Sequence, residues 1–265
     1  MTCNNDWDEL EEIIVGTATS INIPDPNISM MKCQFPEYKE EYVKSVAGYY
    51  PQQIVDEQNE DLEILSNTLK SLGVKVHRPD TQYEKAEIKS PTWEGKNWQY
   101  YSPRDLTIII DDMIIETPTP HINRQFETWG YRDIFTKLFK EGYKWLKAPV
   151  PMLFDKNYRE DTKGVPALNN EEILFEAANC VRANDDILYQ ISNTGNRLGG
   201  EWLQSILGDK YKVHITEGLY SYAHLDSTIL PVREGLVVYN GTRVTLDNEP
   251  EMFKSWDKIW INECK

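Results

Sequence analysis

The stretch LFEAANCVRANDDILYQISNTGNRLGGEWLQ, residues 174 to 204, carries the order of elements that decides the fold. Short apolar runs at Ile173 to Phe175 and Asp186 to Ser192 have the length of strands. A helical pattern follows from about Asn196 to Leu207, and Gly208 supplies its C-terminal stop. Tyr211 to Ile215 then alternates as a strand again. The unit is strand, strand, helix, strand.

The same order extends in both directions. Upstream, Leu106 to Ile110 and Met113 to Glu116 pattern as paired strands around the turn Asp111-Asp112. Tyr131 to Glu141 is a predicted helix with Ile134, Phe135, Leu138 and Phe139 facing inward; Gly142 ends it, and Tyr143 to Leu146 returns as a strand. Earlier still, Leu62, Leu65, Leu69 and Leu72 recur at helical spacing within Asp56 to Leu72, Gly73 stops the helix, and Val74 to His77 is a strand that ends before Pro79. Downstream come Leu225 to Val232, Leu236 to Asn240, a short helix around Pro250 to Ser255, and Lys258 to Asn262.

Three or four such passes imply an array whose units cannot each bury their apolar faces alone, arranged around an axis as an α/β propeller. An ordinary mixed α/β domain fits the same pattern. A ring escapes exposed edges only by closing, yet the sequence finishes near the apolar Ile259-Trp260-Ile261. Either that strand pairs with something else or the ring lacks a unit. No Pro/Gly/Ser-rich linker divides the 265 residues, so one domain over 1–265 is expected.

The net charge of -15 and a pI near 4.8 leave Lys and Arg scattered among acids, with no basic stripe for phosphates; nucleic acid is not an expected partner. No apolar run approaches a membrane span, and MTCNNDWDELEE has neither a basic start nor a hydrophobic stretch, so no membrane partner and a cytoplasmic location are expected. Cys3, Cys33, Cys180 and Cys264 show no CxxC and read as free thiols. His77, His121, His214 and His224 are dispersed, without HExxH, so no metal site is expected.

CNNDWDELEEIIVGTA (3 to 18), SPRDLTIIIDDMIIETP (102 to 118), the stretch quoted first, and YKVHI followed by HLDSTILPV (211 to 232) together resemble the glycine amidinotransferase family. The inosamine-phosphate amidinotransferases are its close relatives, and the superfamily modifies guanidino groups on a five-bladed pentein fold. The resemblance runs in order from residue 3 to about 260. It implies a pentein-type α/β propeller of ββαβ units, incomplete here with the last unit missing.

The resemblance also implies a site. Asp105 matches the aspartate that grips the guanidinium, and Glu176 stands where the family has the aspartate of its Phe-Asp-Ala-Ala motif. His224 matches the general acid/base histidine, Asp226 another guanidinium-binding aspartate, and Arg243 an arginine that holds the substrate carboxylate. Taken alone, each has a structural reading: Asp105 as a turn residue, Glu176 as a paired acid, His224 and Asp226 as ordinary sequence. The residue types suit the chemistry. A guanidinium is planar, cationic and forked, so bidentate carboxylates fix its plane as well as its charge. By resemblance, a cysteine thiolate attacks its carbon, ornithine leaves, and glycine or another amine takes the amidino group. A histidine that titrates near neutrality shuttles the proton, and no cofactor is needed.

Two departures from the family pattern stand out. The nucleophile lies in a Gly-rich segment followed by His-Cys, beyond the region matching residue 260, and no such motif occurs here. Cys264 lacks the surrounding glycines and histidine, and Cys180 lies on a segment of buried character. Glu at 176 moves the carboxylate by about 1.5 Å, one C–C bond. The expected activity is amidino transfer from L-arginine to an amine, the alternatives being a non-catalytic guanidine-binding protein and a deiminase-type hydrolase. The resemblance and the open edge both favour a homodimer.

Overall fold

The computed structural model describes residues 3–162 and 164–262. Three units of identical topology follow one another. In the first, Thr107–Ile110 and Met113–Glu116 form an antiparallel hairpin, the helix Arg132–Lys140 crosses over, and Lys144–Lys147 adds parallel to the second strand. The next unit repeats this with Cys180–Ala183, Asp186–Gln190, the helix Arg197–Leu207 and Lys212–Thr216. The last has Ile229–Arg233, Leu236–Asn240, the 3-10 turn Glu251–Phe253 and Asp257–Ile261. Ahead of them, Glu12–Ile14 pairs in parallel with Lys75–His77 across the long helix Gln52–Ser71.

Local chemistry explains the punctuation. Asn196 caps the helix Arg197–Leu207 by accepting from the Gly199 N–H at 2.9 Å. Gly208 follows at φ 63° and Gly142 ends the preceding unit's helix at φ 106°, backbone that residues with a Cβ avoid.

The apolar faces are buried between units. Ile108, Ile110 and Ile115 pack with Phe175, Cys180, Ile187, Tyr189, Leu203 and Leu207 of the next unit. Val181, Ala183 and Leu188 in turn meet Ile229, Val237, Tyr239 and Phe253. The N-terminal segment crosses all three units: Cys3 bridges Asp111, Asn5 bridges Ala183, and Trp7 lies edge-on to Trp256 at 5.8 Å. On the last sheet Leu230, Val232, Ile259 and Ile261 are exposed. No helix among the described residues is long and apolar enough to cross a membrane.

Two expectations need correction. Ile173 to Phe175 forms no strand; Phe175 makes a single bridge to Gly195, and the hairpin partner of Asp186–Gln190 is Cys180–Ala183. Phe139 is exposed, and Leu65 and Leu72 are as well. The long helix instead turns Val55 and Ser66 inward, because one helix face, not every leucine on it, meets the body of the protein.

Candidate active site

Three segments distant in sequence meet at the 3-10 turn Ala177–Asn179, which Glu176 precedes. Arg104 donates to the carbonyls of Ala177 at 2.8 Å and Cys180 at 2.6 Å, pulling the Ser102-Pro103-Arg104-Asp105 turn against it. The Leu225 N–H donates to the Ala178 carbonyl at 2.9 Å and brings His224 and Asp226 alongside. Phe175 donates its N–H to Pro118, which ties in the loop bearing Thr119 and His121. Asp105 and His224 thus stand beside Glu176 because Arg104 and Leu225 both donate to backbone carbonyls of this one turn.

Glu176 is wholly buried and saturated with donors. Thr119 Oγ1 at 2.6 Å and His121 Nδ1 at 3.0 Å donate to Oε1, while His224 Nε2 at 2.6 Å and Arg124 Nη1 at 3.2 Å reach Oε2. Burial penalises its charge, but Arg124 and His121, with the hydrogen bonds from His121 and His224, outweigh this and hold the carboxyl well below its ordinary range. A carboxylate with four donors has no lone pair to spare for a ligand. Its geometry serves His224.

Arg124 is itself a buried guanidinium in a carboxylate cage. Its Nε and Nη2 fork onto Glu127 at 2.7 and 2.9 Å, Nη2 also reaches Asp105 at 3.0 Å, and Nη1 reaches Glu176. The Trp98 ring lies 5.6 Å away. Burial pushes the Glu127 carboxyl up to about 7, against the pull of Arg124.

His224 turns Nδ1 toward Asp105 Oδ1 at 3.7 Å. Burial and Arg124 lower its pKa, yet the Glu176 hydrogen bond and the charges of Asp105 and Glu176 prevail, so the imidazole is held above its ordinary value. Asp226 is exposed, and among the described residues no side chain hydrogen-bonds to its carboxylate. A groove of about 490 Å³ leads from Asp226 past Ser227 and Thr228 to Arg243. Arg243 donates to Ser227 Oγ and Thr228 Oγ1, both at 2.9 Å, and stacks 3.6 Å above the Tyr220 ring.

Asp105, His224 and Asp226 each offer one ligand atom, all within 4.8 Å of one another. A metal ion would need a bare imidazole nitrogen there, while the surrounding acids favour the protonated ring. Two of the described thiols are ill suited to attack: burial pushes Cys180 up to about 12 and Cys33 well above its ordinary value, with Glu176 adding to the latter; Cys3 lies on the N-terminal segment, where it bridges Asp111 and accepts from Arg182. Cys264 lies outside the described residues.

No family model matches the chain. Inosamine-phosphate amidinotransferase 1 of Streptomyces griseus is 39% identical over 263 residues, 99% of this chain and 76% of that protein. The L-arginine:L-lysine amidinotransferase of Pseudomonas savastanoi pv. phaseolicola is 34% identical over 263 residues, covering 96% of this chain and 72% of that protein. The chain belongs to the amidinotransferase family. The solved structure of the S. griseus inosamine-phosphate amidinotransferase superposes on it with a TM-score of 0.94, across 98% of this chain and 74% of that one. The fold is the pentein-type α/β arrangement.

Within this family member the four residues singled out as acids and imidazole, Asp105, Glu176, His224 and Asp226, fall in one place, with Arg243 at the far end of the adjoining groove. Sequence reasoning missed Arg124, Glu127, Thr119 and His121. The i, i+3 pair in Asn123-Arg124-Gln125-Phe126-Glu127 was the available signal for the cage.

Proposed function

We propose that the chain binds L-arginine through its guanidinium and takes part in moving the amidino group to a primary amine. One observation carries this: an acid-flanked imidazole, His224, set between Glu176 and Asp105 with the free carboxylate of Asp226 beside it. The planar cation would lie against Asp105 and Asp226, its carbon open on one face. A thiolate supplied from outside the described residues attacks that carbon, and the bond to the ornithine nitrogen breaks as His224 gives that nitrogen its proton. The acceptor amine then attacks the amidino-sulfur carbon, returns a proton to His224 and displaces the thiolate.

Glycine or a similar amine is the proposed acceptor; the arginine in a relative's name supports the donor. Arg243 at the end of the groove is the proposed partner of a substrate carboxylate. Cytoplasmic residence and a homodimer belong to the same proposal, supported by the free thiols and by the exposed Ile259 and Ile261. The buried state of Cys33 and Cys180 favours a second reading, guanidine binding without turnover.

Calorimetric titration separates these. L-arginine should bind and L-citrulline, its neutral analogue, should not; equal behaviour of the two would remove the guanidine site altogether. Ornithine released in the presence of glycine supports transfer, whereas binding without ornithine supports the second reading.

A further inference from the structure

His121 is a second imidazole on the same carboxylate. Its ring is 1% exposed, its Nδ1 lies 3.0 Å from Glu176 Oε1, and its Nε2 is buried with no hydrogen-bond partner among the described residues. A proton at Nε2 would have no acceptor there, so the network assigns the proton to Nδ1, where Glu176 accepts it. The loop that carries it is over-determined. Thr119 Oγ1 accepts from the His121 backbone N–H at 3.1 Å and donates to Glu176, and Gln125 Nε2 holds the carbonyls of Thr119 and His121 at 2.7 and 3.0 Å. Trp98 closes the remaining side, edge-on at 5.6 Å.

We propose that His121 is a positioning residue of this site: by donating Nδ1–H to Glu176 it fixes the glutamate arm against His224 and draws off part of the negative charge that His224 would otherwise feel. The functional meaning of this rests on the guanidine chemistry proposed above; the geometry does not. A glutamate has one more rotatable bond than the aspartate that the family resemblance places at 176, and an arm of that length needs a second anchor to present one oxygen to His224 in a fixed direction. Thr119 and His121 hold Oε1, leaving Oε2 to His224 and Arg124. The charged groups around the pair are Glu176, Asp105 and Arg124 facing His224, Asp226 at its open side, Glu127 behind Arg124, and the Cys33 thiol beside Glu176.

The test is a proton–carbon NMR titration of the four histidine rings in the full chain, assigned by substitution. In His121→Phe, Thr119 and Arg124 still keep the glutamate within reach of His224 while its charge is no longer shared with His121, so the His224 midpoint should rise by about half a pH unit or more, roughly a threefold change in its protonation equilibrium. His121→Asn keeps an N–H donor near the same place and should restore the wild-type midpoint. In a Glu176→Asp background the shorter arm cannot span both histidines, so adding His121→Phe should shift His224 by less than half as much. Should the Phe variant not fold, His121→Met, equally without a donor, serves the same comparison. An unchanged or lowered His224 midpoint, or equal shifts in the Asn and Phe variants, overturns the proposal. Calorimetry with L-arginine on the same samples keeps the two questions apart: if arginine fails to bind the wild type, the guanidine reading falls while the His224 comparison still decides the role of His121.

Discussion

His224 Nε2 lies 2.6 Å from Glu176 Oε2, and this contact sets the proton affinity of the imidazole. Burial lowers that affinity, and the Glu176 hydrogen bond together with the charges of Asp105 and Glu176 more than restores it. Glu176→Gln removes the charge and should drop the His224 midpoint by on the order of one pH unit, read from the ring proton–carbon shifts. The linkage has a definite sign. A histidine whose folded pKa is raised contributes stability that is fully present below its unfolded pKa and is lost as pH rises through the folded value. The variant should therefore lose more stability at pH 6 than at pH 9. An equal loss at both would mean that the carboxylate does not govern His224.

Arg124 holds Asp105, Glu127 and Glu176 with one guanidinium, and all but Asp105 of the group are essentially inaccessible to water. Arg124→Met leaves buried carboxylates without their cation, a change that costs about 3–5 kcal/mol in comparable buried ion pairs. Urea denaturation at neutral pH checks this. Arg124→Lys should recover only part of the loss, because an ammonium cannot fork onto Glu127 while reaching the other two acids. A loss below about 1 kcal/mol for the Met variant would show that the cage is hydrated and its charges already screened.

The units were legible because strand and helix periodicities are local properties of sequence: Leu236–Asn240 and Met113–Glu116 match their predicted bounds. Cys180–Ala183 was hidden by Arg182, whose side chain reaches Asp6 and the Ile109 carbonyl across the N-terminal segment. Ile173 to Phe175 looked like a strand because its residues are apolar, yet their burial comes from packing of a loop under the next helix, where Phe175 faces Trp202 at 6.1 Å. The acids and His224 could be found by their motifs. Arg124 offered only its i, i+3 pairing with Glu127, since an arginine in a short turn reads as surface until Asp105 and Glu176 from other segments close around it.

Asp226 separates binding from stability. Its carboxylate is exposed and has no hydrogen-bond partner among the described side chains, so Asp226→Asn should change the unfolding free energy by no more than about 0.5 kcal/mol. A charge-assisted bond to a guanidinium contributes about 1.5–3 kcal/mol, so arginine affinity should fall by roughly ten- to a hundredfold in calorimetric titration. Unaltered affinity would place the guanidinium elsewhere than between Asp105 and Asp226.

Glu84 offers a test away from the site. It is 2% exposed, its Oε1 has no hydrogen-bond partner among the described residues, and burial pushes its carboxyl from an ordinary 4.5 up to about 7, against weaker pulls from Ser20 and Lys85. An acid with a raised folded pKa binds more protons folded than unfolded between those values, so stability falls as pH climbs through the window from about 4.5 to 7. The shift corresponds to on the order of 3 kcal/mol, present below the window and gone above it. Glu84→Gln, which cannot ionise, should leave the melting temperature near that of the wild type at pH 4.5, where the native carboxyl is also neutral. At pH 8 the variant should melt several degrees higher, because only the native chain then carries a buried charge that its weak partners do not offset. Glu127, also pushed up to about 7, gives the wild type a second decline of the same sign, so the substitution should flatten the pH dependence without abolishing it. A variant that tracks the wild type at every pH would show that Glu84 reaches solvent or a partner when it ionises.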